Sequence, residues 1–305
     1  MAGMQARLIR YIAGRLVLVV AAAVALSWTV FLLVHALPGS PFSGERMTDA
    51  RERLLIHRAH LDDPYPLQYL HWLDTYFSGG LGPLLLNEAW TSVRLGLLAF
   101  LLILVFGTWA GVASAYYKGT RTEHTIGVAS SVTYAIPNFI WGIWLFYFFS
   151  VLLYRWTGGL IYVEVGWGQL IQWVPPAIAL ALPPSGLVAR IVRASVLDTM
   201  TQDYVRTAWA KGLTERAVMV RHALRNALIP LVTILGPIAV SILMGSIVVE
   251  NIFDVPGLGP ELVGSIFSRA YFTATGVFTY YSLLAGLAML GVDLAYAAID
   301  PKIRY

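Results

Sequence analysis

Residues 203–230 read DYVRTAWAKGLTERAVMVRHALRNALIP, with cations at near-regular intervals at Arg206, Lys211, Arg216, Arg221 and Arg225. Long uncharged stretches lie on either side. The reading of this segment therefore decides which parts of the chain belong in lipid and which are held in water.

Composition sets the frame. Of 305 residues, 58% are hydrophobic and only 12% charged, and the mean hydropathy is +0.68. One soluble core cannot hide so much apolar surface, so the chain is expected in a bilayer. The net charge of +4 is then a question of which side carries the cations, not a sign of nucleic-acid binding. The chain has no cysteine, which excludes disulfides, cysteine-based zinc sites and a thiol nucleophile.

A helix needs roughly 20 apolar residues to cross about 30 Å of hydrocarbon, where lipid offers its backbone no hydrogen-bond partner. Six uncharged runs qualify: Leu16 to Val34, Leu95 to Tyr117, Ile126 to Tyr154, Ile171 to Ala189, Ala227 to Val249 and Tyr271 to Val292. The expected fold class is all-α, a polytopic membrane protein. Pro137, the pairs Pro175–Pro176 and Pro183–Pro184, and Pro230 with Pro237 are expected to break or bend their spans. Such breaks favour a bundle around a pathway. The first run is too long for a signal-peptide core of about 7–15 residues and is expected to be kept as a span.

Six spans place both termini on one side. The N-terminus, 118–125, 190–226 and the C-terminus together hold 14 Lys/Arg against 5 acidic residues. The opposite loops hold 7 Lys/Arg against 11 Asp/Glu. The positive-inside rule makes the termini and the 203–230 segment cytoplasmic. Outside, HLDDPYPLQYLHWL (60–73) is an aromatic-rich amphipathic stretch suited to the interface, and Trp156, Tyr162, Trp167 and Trp173 suit an interfacial belt.

In the cytoplasmic segment, residues 190–212 are helix-competent, Gly212 with Leu213 supplies a Schellman-type stop, and Thr214 caps a second helix from Glu215 to about Asn226. The result is helix, glycine, helix, projecting Val205, Ala208, Trp209 and Leu213 beside the cations. This shape suits a groove on another protein or rest on anionic headgroups. Nucleic acid is the weaker reading.

Nothing in the chain hydrolyses ATP by itself. The P-loop pattern is missing, since GSPFSGER (39–46) lacks the lysine and the Ser/Thr that hold phosphates and Mg²⁺. The H-E-x-x-H pattern of an intramembrane metalloprotease is also missing. His57 and His60 have metal-ligand spacing but no acidic group between them, so a solvated helix face is the simpler reading. Asp293 is the one ionisable residue expected inside a span. A structural partner fits it better than a proton relay, the device of a proton-coupled secondary transporter. Ser241, Met244, Gly245 and Ser246 allow close helix approach in the fifth span, and Pro256, Gly257 and Gly259 mark a turn beyond it.

The stretch RTAWAKGLTERAVMVRHALRNALIPL resembles the cytoplasmic "EAA" loop of ABC importer permeases, in the form found in the peptide and nickel branch. Arg206 and Thr207 stand where the general consensus has an acidic residue and an alanine, as in that branch. LPGSPFSGERM, HLDDPYPLQYLHWL, ENIFDVPGLGPEL and DPKIRY follow in the order of the B-type permease of oligopeptide importers. The resemblance implies a type I permease fold, with a first helix and extracytoplasmic segment over 1–93 and a five-helix core over 94–305. It also implies a coupling segment at about 198–226, centred on Arg206, Thr207, Ala208, Trp209, Ala210, Lys211, Gly212 and Leu213. The implied partners are a second permease subunit, two ABC ATPase subunits that carry ATP and Mg²⁺, an extracytoplasmic substrate-binding protein and membrane lipid. The implied cargo is oligopeptide or dipeptide, with nickel, glutathione and oligosaccharides as alternatives. The implied location is a bacterial or archaeal cytoplasmic membrane.

Overall fold

The computed structural model describes residues 2–36, 49–160, 162–219 and 224–299. LPGSPFSGERM, Arg221, Asp300 and DPKIRY lie outside them. Among the described residues every regular element is helical, and six helical stretches have the length and apolarity to cross a bilayer: Ile9–His35, Leu81–Tyr116, Asn138–Trp156, Leu170–Met200, Ile229–Ile252 and Tyr271–Leu294.

The chain divides into two compact units. The first comprises Met1–Val93 and Val255–Leu287. It holds α1 (Ala2–His35), α2 (Asp49–Arg58), α3 (Tyr65–Phe77), the start of α4 (Leu81–Leu102), α14 (Leu258–Phe267) and most of α15 (Tyr271–Ile299). Its core is aromatic: Phe31, Tyr69, Trp72 and Tyr76 are buried against Trp28, Phe272 and Tyr280. The polar ends of these rings are satisfied. Tyr69 pairs with Ser27 at 2.6 Å, Trp72 Nε1 donates to Phe272 O at 2.9 Å and Tyr280 donates to Gly82 O at 2.7 Å. The amphipathic stretch thus turns its aromatic face into the protein, while Leu67, Leu70 and Phe77 stay exposed.

The second unit comprises Arg94–Asp254 and Ala288–Tyr305. Beyond the rest of α4 it holds a π-helical turn Ile103–Gly107, α5 (Thr108–Tyr116), α6 (Arg121–Ala135), α7 (Asn138–Tyr147), a second π-helical turn Phe148–Leu152 and α8 (Leu153–Trp156). Then come α9 (Leu170–Met200), α10 (Asp203–Ala210), α11 (Glu215–Val218), α12 (Leu224–Ala227) and α13 (Ile229–Ile252). Helix α9 is its axis and touches α5, α6, α7 and α13.

Three expectations change. The third span does not run from Ile126 to Tyr154. Pro137 pushes Ile136 into extended backbone (φ −87°, ψ 123°) and ends α6 at Ala135, so the crossing helix starts at Asn138. The four prolines of the fourth span do not break it: α9 stays helical across Pro175, Pro176, Pro183 and Pro184, its packing against four helices outweighing the local cost. Asp293 is also not the only acid within a span, because Glu250 sits fully buried in the last turns of α13.

Several close helix approaches lie along α9. A Cβ on Gly107 would stand 2.8 Å from Val188, and one on Gly111 would stand 2.7 Å from Ala189 O and from Val192 Cβ. A Cβ on Gly186 would overlap Ser130 O of α6. Outward-facing side chains are apolar, among them Val17, Leu18 and Leu33 of α1 and Leu97, Leu101 and Phe106 on the second span. That is the surface a lipid-embedded bundle presents.

Candidate functional site

The segment after α9 keeps the helix, glycine, helix order of the sequence pattern, but the helix expected over 190–212 is interrupted at Thr201 and Gln202. Helix α9 ends at Met200, with Thr201 Oγ1 donating to Asp198 O at 2.7 Å. Helix α10 begins after two intervening residues, with Asp203 in its first turn, where an acid complements the helix dipole. It ends at Ala210. Lys211 has left helical geometry (φ −79°, ψ 4°), and Gly212 takes φ +78°, the left-handed region that favours glycine. Gly212 N–H donates to Trp209 O at 2.8 Å, the inner bond of a Schellman-type turn. Thr214 then caps α11, its Oγ1 accepting from Ala217 N–H at 3.4 Å.

The side chains sort by face. Val205 and Ala208 do not project, as the pattern suggested. They are buried together with Val218 of α11, with Met200 of α9 packed beside them, because a helix of eight residues is held only by its apolar stripe. Arg206, Thr207, Trp209, Ala210, Lys211, Gly212 and Leu213 are exposed. Trp209 and Leu213 show 44% and 37% of their surface to solvent. Arg206 lies 3.6 Å from Asp203 within its own helix. Arg216 and Arg225 fall on α11 and α12.

A second feature of this unit gave no signal in the sequence. Thr120 caps α6. Glu123 Oε2 accepts from Gly119 N–H at 2.5 Å, and its Oε1 accepts from Arg193 Nε of α9 at 3.0 Å and from Arg193 Nη2. The Arg193 guanidinium, and then the Gly119 amide, hold the Glu123 carboxyl below the usual carboxylate range. This pair stands at one wall of a cavity of about 630 Å³, with His124, Gly127, Ser131 and Arg190 also lining it. The partners are 70 residues apart, so only the packing of α6 on α9 brings them together.

On the segment between α1 and α4, His57 pairs with Asp62 at 2.7 Å, whereas His60 meets Asp63 and His71. The ligand-like spacing of His57 and His60 therefore does not bring those two together, and each meets a different aspartate.

Six helices of bilayer-crossing length, with apolar side chains facing outward, define a polytopic membrane protein. Residues 103–305 match the family of binding-protein-dependent transport system inner membrane components. The chain belongs to that family and is a multi-pass inner-membrane transport component. It is 34% identical to the dipeptide transport system permease protein DppB of Bacillus subtilis (strain 168), over 97% of this chain and 98% of that one. It is 31% identical to the protein of the same name from Lactococcus lactis subsp. cremoris (strain MG1363), over 97% and 100%. Identity to the oligopeptide transport system permease protein OppB of Escherichia coli (strain K12) is 34%, over 90% and 92%.

Proposed function

We propose that this chain is a membrane-spanning permease subunit of an ATP-driven, binding-protein-dependent importer that carries dipeptides or oligopeptides into the cytoplasm. Its likeness to dipeptide and oligopeptide transport permeases supports the cargo class. Nickel, glutathione and oligosaccharides are the alternatives. In this reading both termini are cytoplasmic, and the working complex adds a second permease subunit, two ATPase subunits that bind ATP and Mg²⁺, and an external binding protein.

The observation that carries the reading is the face division of α10. Val205 and Ala208 fix the helix to the end of α9, leaving Trp209 and Leu213 as an exposed apolar contact beside the cations Arg206 and Lys211. A helix so anchored and so exposed suits a cleft on an ATPase subunit, with acidic groups at the rim of the cleft. Closure of the ATPase pair on ATP would push the rod, and α9 would carry the displacement into the bundle.

The test uses the absence of native cysteine. Trp209→Cys, assembled in the whole transporter, is expected to react with a membrane-impermeant maleimide in inside-out vesicles and not in intact cells. It is also expected to cross-link to an ATPase subunit. Labelling from outside, or cross-links to lipid alone, would overturn the assignment. Uptake by proteoliposomes that follows ATP and survives collapse of the proton gradient separates this reading from a proton-coupled carrier.

A further inference from the structure

Residues 57–71 read HRAHLDDPYPLQYLH, with three histidines and two aspartates running from the last turn of α2 through a turn to the middle of α3. The structure divides them into two groups. His57 Nδ1 takes Asp62 Oδ2 at 2.7 Å. That leaves Asp63 to a second group, with Oδ2 3.0 Å from His60 Nδ1 and 3.7 Å from His71 Nε2. The three potential ligand atoms all lie within 4.8 Å of one another, and the His60 and His71 rings stack with centroids 4.1 Å apart.

The backbone beneath this cluster is fixed. His60 is held at φ +55°, and its N–H donates to His57 O at 3.2 Å. Gln68, only 2% exposed, reaches back from α3 and donates through Nε2 to Leu61 O at 3.0 Å and to Asp63 O at 2.7 Å. The same helix carries His71 three residues on, and its other face is tied down by Tyr69 and Trp72. The turn and the helix that supply the ligands are therefore braced by one buried amide. The ligand side chains themselves face solvent, at 53%, 33% and 46% exposure for His60, Asp63 and His71.

We propose that His60, Asp63 and His71 form a binding site for one divalent transition-metal ion of the zinc type. Two imidazole nitrogens and a carboxylate oxygen are ligands that such ions take, with bonds of about 2.0–2.2 Å and tetrahedral geometry. Ligands at that radius and angle stand about 3.4 Å apart, and the observed 3.0 and 3.7 Å bracket that spacing. Rotations about χ1 and χ2 that turn the two rings out of their stack close the cage around an ion, with water as the fourth ligand. His60 ligates through Nδ1 with its proton on Nε2, and His71 through Nε2 with its proton on Nδ1. The bound ion clamps the α2–α3 turn onto α3. The site stands on this geometry alone and is independent of the cargo assignment above.

The experiment is titration of the metal-stripped full chain in detergent, purified through a tag without histidines, with Zn²⁺ in competition with a chromophoric chelator. Co²⁺ serves as a second probe through its visible absorption. One zinc per chain is expected, with an intense tetrahedral cobalt spectrum. His60→Ala and His71→Ala should each weaken zinc binding at least tenfold, and His57→Ala should leave it unchanged. Asp63→Asn, which keeps shape and backbone, should also weaken binding and should replace the tetrahedral cobalt band with a weak octahedral one. No zinc at one equivalent, binding that survives loss of His60 and His71, or equal loss with His57→Ala would overturn the proposal.

Discussion

Replacement of Gly212 isolates backbone strain from every other effect. The residue holds φ +78°, and nothing lies within 4 Å of the place a Cβ would take. Added volume is therefore harmless, and the cost is conformational. A left-handed residue with a Cβ costs about 1–2 kcal/mol. Asparagine pays least, and a β-branched residue lies at or above the top of that range. What holds the turn is α10's anchorage, chiefly the fully buried Val205, a side chain worth about 1.5–3 kcal/mol when buried. Alanine's cost stays below that anchorage, so most molecules keep the turn. Valine's cost matches it, so a large fraction should lose the placement of Trp209 and Leu213. ATP-dependent uptake by the reconstituted transporter, at matched amounts of this chain, should fall in the order Gly, Asn, Ala, Val. Valine should lose about half of its uptake or more, because a cost equal to the anchorage leaves the two placements equally populated. Thermal unfolding of the membrane bundle should not change, and Gly264→Ala, with an ordinary φ and open space, should be neutral. Wild-type uptake by Gly212→Val, or equal losses for Asn and Val, would refute the strain argument.

Three further outcomes follow from packing and charge. Val205→Ala removes buried apolar volume beneath α10 and should cost about 1–2 kcal/mol locally. Trypsin should then cut after Arg206 and Lys211 about tenfold faster in the native state, a rate set by the opening equilibrium. Gly186→Ala drives a methyl into the backbone of α6 at Ser130 and should lower stability by about 1–3 kcal/mol in denaturant or thermal melts, whereas Gly14→Ala, with open space around it, should not. The depressed carboxyl of Glu123 gives a pH signature. Its stabilising effect is fully present above the ordinary value of 4.5 and is lost as pH falls below that, through the lower folded value. The stability difference between wild type and Glu123→Gln should thus be constant above about pH 5 and shrink steadily in more acid solution. A difference that grows on acidification would contradict the Arg193 pairing.

The parts of the fold that were legible in the sequence are those decided locally. Length and apolarity mark the six crossings because lipid leaves backbone groups no other partner. The Gly212 turn was legible because only glycine takes that φ without cost. What was not legible depended on neighbours far along the chain. Proline pairs usually interrupt a helix, yet α9 passes through two of them because it is packed by α5, α6, α7 and α13. Val205 and Ala208 carried the amphipathic pattern of a projecting face, but the partner that covers them, Val218, follows a turn whose direction no local pattern reveals. His57 and His60 have ligand spacing on paper. The left-handed turn at His60 instead aims the second histidine at Asp63 and at His71, eleven positions on. Glu123 and Arg193 are ordinary surface residues until α6 lies on α9.

These long-range contacts also bear on how a push at α10 would travel. An isolated eight-residue helix joined by a two-residue break would swing without effect, so the lever reading requires stiffness at both of its joints. Val205 and Ala208 against Met200 and Val218 supply the first. The second lies along α9, where Gly107 and Gly111 let α5 close onto Val188 and Val192 and Gly186 lets α9 close onto α6. Contacts this tight resist continuous deformation. In that reading, displacement at α10 would be passed to α9, α5 and α6 as one body, and the Arg193–Glu123 pair ties the same three-helix block near its end. On this account Gly186→Ala should impair coupling as well as stability, since it parts the helices through which the displacement runs.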